Sequence, residues 1–311
     1  MREATPPKTA WKMSSQRLQG HICILAANII FGLFIPASKY LMANCLSVGT
    51  LTLARMWGAA ALFWLASVFV KNDKVERRDL ALFFLFSFCG VIMNQGIFIY
   101  GLGKTSPVDA SVIATMIPLM VLIIAAVFMR DPITPRKALG VLSGAAGAIW
   151  LVLSAGNIAR STSSVSGDLL VLLSGVSTSI YFTMSKPVTS RHHPITMMKW
   201  MFLFASIILL PITPTVVGAD NAVADKWGIF EISALLFVIV GATFITYILL
   251  AMAIKRMRPT TMAMYNYVQP IIASAAAVYV GQDCFSWVKV AAAALVFFGV
   301  YLVTSSPRVR Q

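Results

Sequence analysis

The sequence predicts an all-α integral membrane protein with ten transmembrane helices arranged as two inverted five-helix repeats. Three observations predict it. First, 59% of the 311 residues are hydrophobic and 12% charged, with mean hydropathy +0.82, whereas soluble domains are about half apolar. Second, Pro107, Pro118 and Asp131 recur without insertion or deletion as Pro259, Pro270 and Asp283, with Lys104 matched by Arg256 and Gly147 by Gly299. Proline is costly inside apolar helices, so one offset kept across two such stretches reads as an internal duplication. Third, hydropathy divides each half into five apolar segments, and an odd number inserts the second half upside down.

The first span, 20–42, follows Arg2, Lys8, Lys12 and Arg17 as a signal peptide would. It runs for about 20 residues and precedes nine further apolar segments, which predicts a retained helix. The others are 49–70, 79–102, 107–129, 136–154, 167–187, 195–217, 228–252, 259–281 and 285–305. Each can cross a hydrocarbon core of about 30 Å at a rise of about 1.5 Å per residue, the fifth being the shortest. The organisation is therefore an N-terminal tail (1–19), a first repeat (20–154), an outer linker (155–166), a second repeat (167–305) and a short tail (306–311).

Positively charged short loops are retained in the cytoplasm. With the N-terminus inside, the inner segments hold Arg2, Lys8, Lys12, Arg17, Lys71, Lys74, Arg77, Arg78, Arg130, Arg136, Lys137, Lys186, Arg191, Lys199, Lys255, Arg256, Arg258, Arg308 and Arg310, which is 19 of the 25 cations. Outer loops hold only Lys104, Arg160, Lys226 and Lys289. Both termini are expected in the cytoplasm of a cell with this protein in its inner membrane. The loop before Pro107 then lies outside and its copy before Pro259 inside. The front of each half matches less well, Ser38 and Lys39 pairing with Ser185 and Lys186 only at a different offset.

The net charge of +14 comes from residues scattered over short loops, with no basic helix or aromatic-interleaved basic surface for nucleic acid. Cys23 and Cys89 fall in apolar segments and Cys45 and Cys284 near loops, so packing is their expected use. No G-x-S-x-G, H-E-x-x-H, phosphate-binding glycine loop or Cys/His metal spacing occurs. Neither enzymatic activity nor a cofactor is expected.

Polar side chains inside a bilayer face a bundle interior or a wet cavity. The densest set is Tyr265, Asn266, Tyr267 and Gln269, just before Pro270; Asn28, Asn94, Gln95, Tyr100, Ser177, Thr178, Tyr181, Thr243, Thr246 and Tyr247 join it. Amides donate and accept, and tyrosines add apolar area with one polar tip, which suits a small polar or amphipathic solute. The alternative use is interhelical hydrogen bonding. Asn28, Asn94, Gln95, Tyr181, Tyr247, Tyr265, Asn266 and Gln269 are the expected solute contacts.

Pro118 and Pro270 stand mid-span and free the carbonyls of Ala114 and Asn266, exposing an acceptor or making a hinge. Gly32 and Pro36 interrupt the first span in the same way. Gly140-x-x-x-Gly144 with Gly147 permits close helix approach, within the chain or as a homodimer seam through peripheral helices. Asp109, Asp168 and Glu231 fall in first helical turns as caps, and no carboxylate lies at mid-membrane, so no proton relay is expected. Lys39 and Arg55 are the internal cations, each near enough to the outer surface to snorkel, or else to line an anion-attracting vestibule.

The run Asn28 to Lys39 (NIIFGLFIPASK), Tyr100 to Pro118 (YGLGKTSPVDASVIATMIP) followed by Asp131 and Gly140, and Tyr265 to Pro270 (YNYVQP) followed by Gly281 resemble the EamA-type branch of the drug/metabolite transporter superfamily. The resemblance spans roughly residues 20 to 305. It implies helices one to four and six to nine around a central cavity, five and ten at the periphery, and ATP-independent export or exchange of small metabolites, amino acids among them. Asp131 and Asp283 stand where the family commonly has glutamate. The expected partners are a small-molecule solute and the lipid bilayer. An exchanger of phosphorylated or other anionic metabolites would place cations deep in the cavity, and a membrane receptor or sensor would need no matched kinks.

Overall fold

The computed structural model describes residues 15–70, 73–102, 104, 113–153, 165–218, 227–279 and 286–306. The expectations on Pro107, Asp109, Arg160, Lys226, Gly281, Asp283, Cys284 and most of the tails and of the linker lie outside the described residues. All regular structure among the described residues is helical.

We number the helical rods in chain order. α1 is Ser15–Asn44 and α2 is Val48–Val68, the latter capped by Ser47, whose hydroxyl accepts from Thr50 N at 3.1 Å. α3 starts as Arg77–Ser87, passes through π-helical turns over Phe88–Ile97 and ends as Phe98–Leu102. α4 is Ile117–Met129, closed by Arg130 in the left-handed conformation (φ 52°), and α5 is Pro135–Leu153. α6 is Val165–Met184, extended by a further turn, Lys186–Arg191. α7 is Pro194–Leu209. α8 joins Ile229–Leu236, a π-helical stretch Phe237–Ile245 and Thr246–Arg256. α9 joins Pro259–Met264, a 3₁₀ turn Tyr265–Tyr267 and Val268–Tyr279, and α10 is Trp287–Thr304. Proline opens α5, α7 and α9, where its missing N–H costs nothing. Glu231 accepts from Gly228 N at 2.9 Å, the expected cap of α8.

Among the described residues, seven helices are long and apolar enough to cross a membrane, where ten spans were expected. In α4 a turn at Thr115 and Met116 precedes Pro118, and in α9 the 3₁₀ turn precedes Pro270, so each rod is divided just ahead of its proline. α1, by contrast, runs unbroken through Gly32 and Pro36.

The helix partners follow a two-fold pattern. α1 packs on α8 and α9 as α6 packs on α3 and α4; α2 packs on α8 as α7 packs on α3; and α2–α7, α4–α9 and α5–α10 pair with each other. Three hydrogen bonds join residues 152 apart: Gln95 to the Tyr247 hydroxyl, Tyr267 hydroxyl to Thr115 O (2.9 Å), and Ser143 hydroxyl to Leu295 O (3.2 Å). That is the offset between Pro107 and Pro259. A residue that touches its own repeat counterpart lies on the axis relating the halves, so these contacts trace that axis through α3/α8, α4/α9 and α5/α10.

α5 and α10 run antiparallel. A Cβ on Gly140 would approach Gly299 O to 2.8 Å, and one on Gly147 would approach Ala292 O to 2.7 Å. The glycine face of α5 is therefore spent within the chain, and Gly144 is covered by Tyr267. One apolar core joins α1, α2, α3, α6, α7 and α8 through Met56, Phe63, Phe86, Tyr181, Phe202 and Tyr247, and a second joins α4, α5, α9 and α10 through Leu122, Val141, Tyr267 and Val296.

Candidate functional site

The expected polar residues occupy two bridges between halves. Gln269 Nε2 on α9 donates to Asn28 Oδ1 on α1 at 2.7 Å, and Asn28 Nδ2 donates to Ile24 O at 2.8 Å. One helical turn toward the start of α9, the Tyr265 hydroxyl meets His21 Nδ1 at 2.7 Å. Asn28 is sealed, whereas Tyr265, Asn266 and Gln269 are half-buried. Tyr267 points the other way, toward Thr115 and α5. The 3₁₀ turn thus distributes the densest polar run over two faces.

The second bridge is Gln95 to Tyr247, with the Tyr247 hydroxyl also 3.4 Å from Gly90 O. Both side chains are buried on the axis, and Gln95 Oε1 has no partner among the described residues. Tyr181 is buried against Gly90, Phe86 and Phe182, and its hydroxyl is likewise unpaired. Asn94 Nδ2 reaches Gly90 O, at 3.5 Å, on its own helix. Thr243 and Thr246 return their hydroxyls to carbonyls five residues back, at 2.9 Å each, which matches π-helical spacing. Ser177 and Thr178 bond to Cys89 O and Ser174 O. These four serve the backbone.

Several expectations need correction. Tyr100 is 60% exposed and stands over Lys104, not in the interior set. Arg55 does not snorkel: it is 3% exposed, its Nε donates to Thr243 Oγ1 at 3.0 Å and its guanidinium lies 4.3 Å from the Phe34 ring centroid. The hydroxyl and the aromatic face supply inside the bundle what water would supply at its edge. Lys137 and Lys199, assigned above to inner segments, are also buried, Lys137 against Asp131 (2.7 Å) and Lys199 near Trp64 and Trp200. His192 is buried against Asp79 (2.7 Å). At the α4 break the Tyr267 hydroxyl donates to the Thr115 carbonyl at 2.9 Å. Gly32 lets Ile272 of α9 approach α1.

Two grooves flank the axis. One of about 320 Å³ is lined by Val48, Thr52, Met56, Gly96, Tyr100 and Val216 among others, between α2, α3 and α7. The other, about 200 Å³, is lined by His193, Ile195, Ile248, Met252, Lys255 and Arg256, between α7 and α8. Ile248 and Met252 are the repeat counterparts of Gly96 and Tyr100, so the grooves are two-fold mates. A Cβ at Gly96 would meet nothing within 4 Å, which fits the larger volume on its side. Neither groove includes the amide bridges. Neither groove is legible in the sequence, because each is made by helix divergence and not by a polar motif.

A helical membrane protein whose halves repeat, with matched broken helices and polar bridges across the axis, belongs to the class of membrane carriers built from repeats. The family model of EamA-like transporters matches twice, over residues 18–153 and 165–305. The chain belongs to the EamA-like transporter family. It is similar to a protein of Archaeoglobus fulgidus described as an uncharacterized transporter, 25% identical over 281 residues that cover 90% of this chain and 97% of that one. It is also similar to the uncharacterized transporter YyaM of Bacillus subtilis, 22% identical over 301 residues, 94% of this chain and 96% of the relative. A solved structure described only as the crystal structure of a protein superposes with a TM-score of 0.75 at 18% identity, over 94% of this chain and 97% of that one; this likeness concerns the fold. The chain is a multi-pass membrane transporter.

Proposed function

We propose that the protein is a secondary transporter that moves a small polar or amphipathic metabolite, amino-acid-like in size, outward by alternating access without ATP. It does so through ten spans in two inverted repeats, 20–154 and 167–305, in the cell membrane. The observation that carries this reading is the Gln269–Asn28 carboxamide pair, which joins opposite halves at 2.7 Å. Exchanging one neutral hydrogen bond for another changes free energy by only about 1 kcal/mol. Such a pair can open to a solute and close again as the halves rock.

The matched breaks ahead of Pro118 and Pro270 supply hinges in the same register of both halves. The grooves of about 320 and 200 Å³ are unequal, as two-fold mates are when one side is more open. A receptor has no use for these matched features. Among the described residues, Asp79, Asp131, Asp168 and Glu231 all sit at helix ends, which favours facilitated diffusion or exchange over proton coupling.

Proteoliposome flux of amino acids and related amphipathic solutes, without a pH gradient, tests the reading. Gln269→Ala should weaken solute binding by about 1–3 kcal/mol, which raises KM about 5- to 150-fold. An unchanged KM in a folded variant would leave the pair a packing contact. Orientation has its own measurement, in a background lacking Cys23, Cys45, Cys89 and Cys284. Asn44→Cys should react with impermeant maleimide from outside and Lys74→Cys only after permeabilisation. Labelling of both from one side would remove α2 as a crossing.

A further inference from the structure

Arg55 is the buried cation that the transport reading leaves without a task. Three parts of its guanidinium can be accounted for separately. One face stacks on the Phe34 ring at 4.3 Å, and the Nε edge donates to Thr243 Oγ1 at 3.0 Å. The two terminal nitrogens make no hydrogen bond or ion pair with any described residue. The side chain is nine-tenths buried and more, at 3% exposure.

The charge has no described carboxylate to balance it. Asp131 holds Lys137, Asp79 holds His192 and Arg191, Asp73 accepts from His193 N, and Glu231 accepts from Tyr40 and Gly228. Burying an arginine whose strongest donors stay unused is unfavourable, and buried ionisable groups in membrane bundles mark solute paths. Arg55 also lies next to the axis. It is bonded to Thr243, and Tyr247, one turn further along the same face of α8, is joined to Gln95 of the other half.

We propose that Arg55 binds the carboxylate of the transported solute. With its face and Nε edge already held, the guanidinium offers the fork of its two terminal nitrogens, which matches the two oxygens of a carboxylate. Charge selects carboxylate over phosphate monoester. A phosphoryl group carries about −1.5 to −2 at neutral pH, so one guanidinium would leave it uncompensated in the bundle, whereas a monocarboxylate and Arg55 sum to zero. Phe34 provides apolar surface beside the charge, so the solute is a monocarboxylate with an apolar body, with or without an amine.

This proposal rests on the transport reading above, and its test separates the two. Wild-type protein in lipid nanodiscs is titrated with phenylacetate, 4-methylpentanoate, L-leucine and L-phenylalanine, each alongside its primary amide, and binding is read from the thermal shift. At least one acid should bind tenfold or more tightly than its amide. In Arg55→Gln that ratio should fall to within about twofold of one. Arg55→Lys keeps the charge but lacks the fork, and should give an intermediate ratio; it also serves if the glutamine variant does not fold. A merely structural Arg55 would lower the melting temperature of the variants and leave the ratio unchanged, which overturns the proposal. Ratios near one for every wild-type pair overturn it as well. Proteoliposome transport of neutral amides would then keep the transport reading standing, and flux of none of these compounds would strike that reading too.

Discussion

Gly299→Leu is expected to yield protein that is aggregated or melts at least 6–12 °C below the wild type. A Cβ at Gly299 would lie 2.5 Å from Gly140 O, 2.7 Å from Gly144 N and 3.0 Å from Gly144 Cα. All three are backbone atoms, which cannot rotate aside as a side chain can. Overpacking costs about 1–3 kcal/mol even where side chains give way. Here α5 and α10 must separate, which also breaks the Ser143–Leu295 bond and opens the Gly147–Ala292 contact. A loss of about 3 kcal/mol or more corresponds to about 6–12 °C in a chain of this size. Gly175→Ala is the control: its nearest neighbour would be Ile117 Cγ1 at 3.4 Å, an ordinary contact, and helix propensity favours alanine by about 1 kcal/mol. Thermostability followed by size-exclusion chromatography distinguishes the two. A Gly299→Leu variant melting with the wild type would show that the helices do not meet at this glycine.

The same contact explains why one part of the sequence was readable and another was not. Gln95–Tyr247, Thr115–Tyr267 and Ser143–Leu295 are contacts between counterparts. An insertion in either copy would shift both sides of the axis at once, so the register of helices three to five survives in eight to ten. α1 and α6 have no such mutual contact among the principal helix pairs, and there the two copies match only loosely. Residue type was enough to single out Asn28, Gln95, Tyr247 and Gln269 as interior polar groups, but not to say that they would pair with each other, because partner choice depends on helix rotation. Hydropathy also places a cation by its position in a segment, not by what surrounds it. It therefore places Lys137 at the inner edge of the fifth span and Arg55 at the outer surface or in a vestibule, while Asp131 in one case and Thr243 with Phe34 in the other hold them inside. The π-helical turns of α3 and α8 leave no period that a hydropathy reading can detect.

Asp131→Ala should lower stability by about 3 kcal/mol, and a second substitution, Lys137→Met, should restore most of it. In the sequence Asp131 stands out as the repeat mate of Asp283 and as the acid of the family resemblance; the structure gives it a partner. Lys137 Nζ lies 2.7 Å from Asp131 Oδ1 and 3.0 Å from Pro132 O, and its side chain is 2% exposed against 21% for Asp131. Removing the acid leaves a buried ammonium with one carbonyl, and breaking such a pair from one side costs about 3–5 kcal/mol. The partial exposure of Asp131 and the remaining Pro132 bond place the expected loss at the lower end of that range, about 6–12 °C in melting temperature. Methionine has nearly the length of lysine and no charge, and buried pairs exchanged whole for apolar residues of similar volume are about neutral. The double variant should therefore melt within a few degrees of the wild type, whereas additive losses would mean that the two side chains act independently. Lys289 follows Asp283 at the spacing by which Lys137 follows Asp131, so the acid–lysine spacing recurs in both copies of the repeat. A single variant that melts with the wild type would show that the ammonium finds solvent without its acid, and that the α4–α5 connection is not locked by this pair.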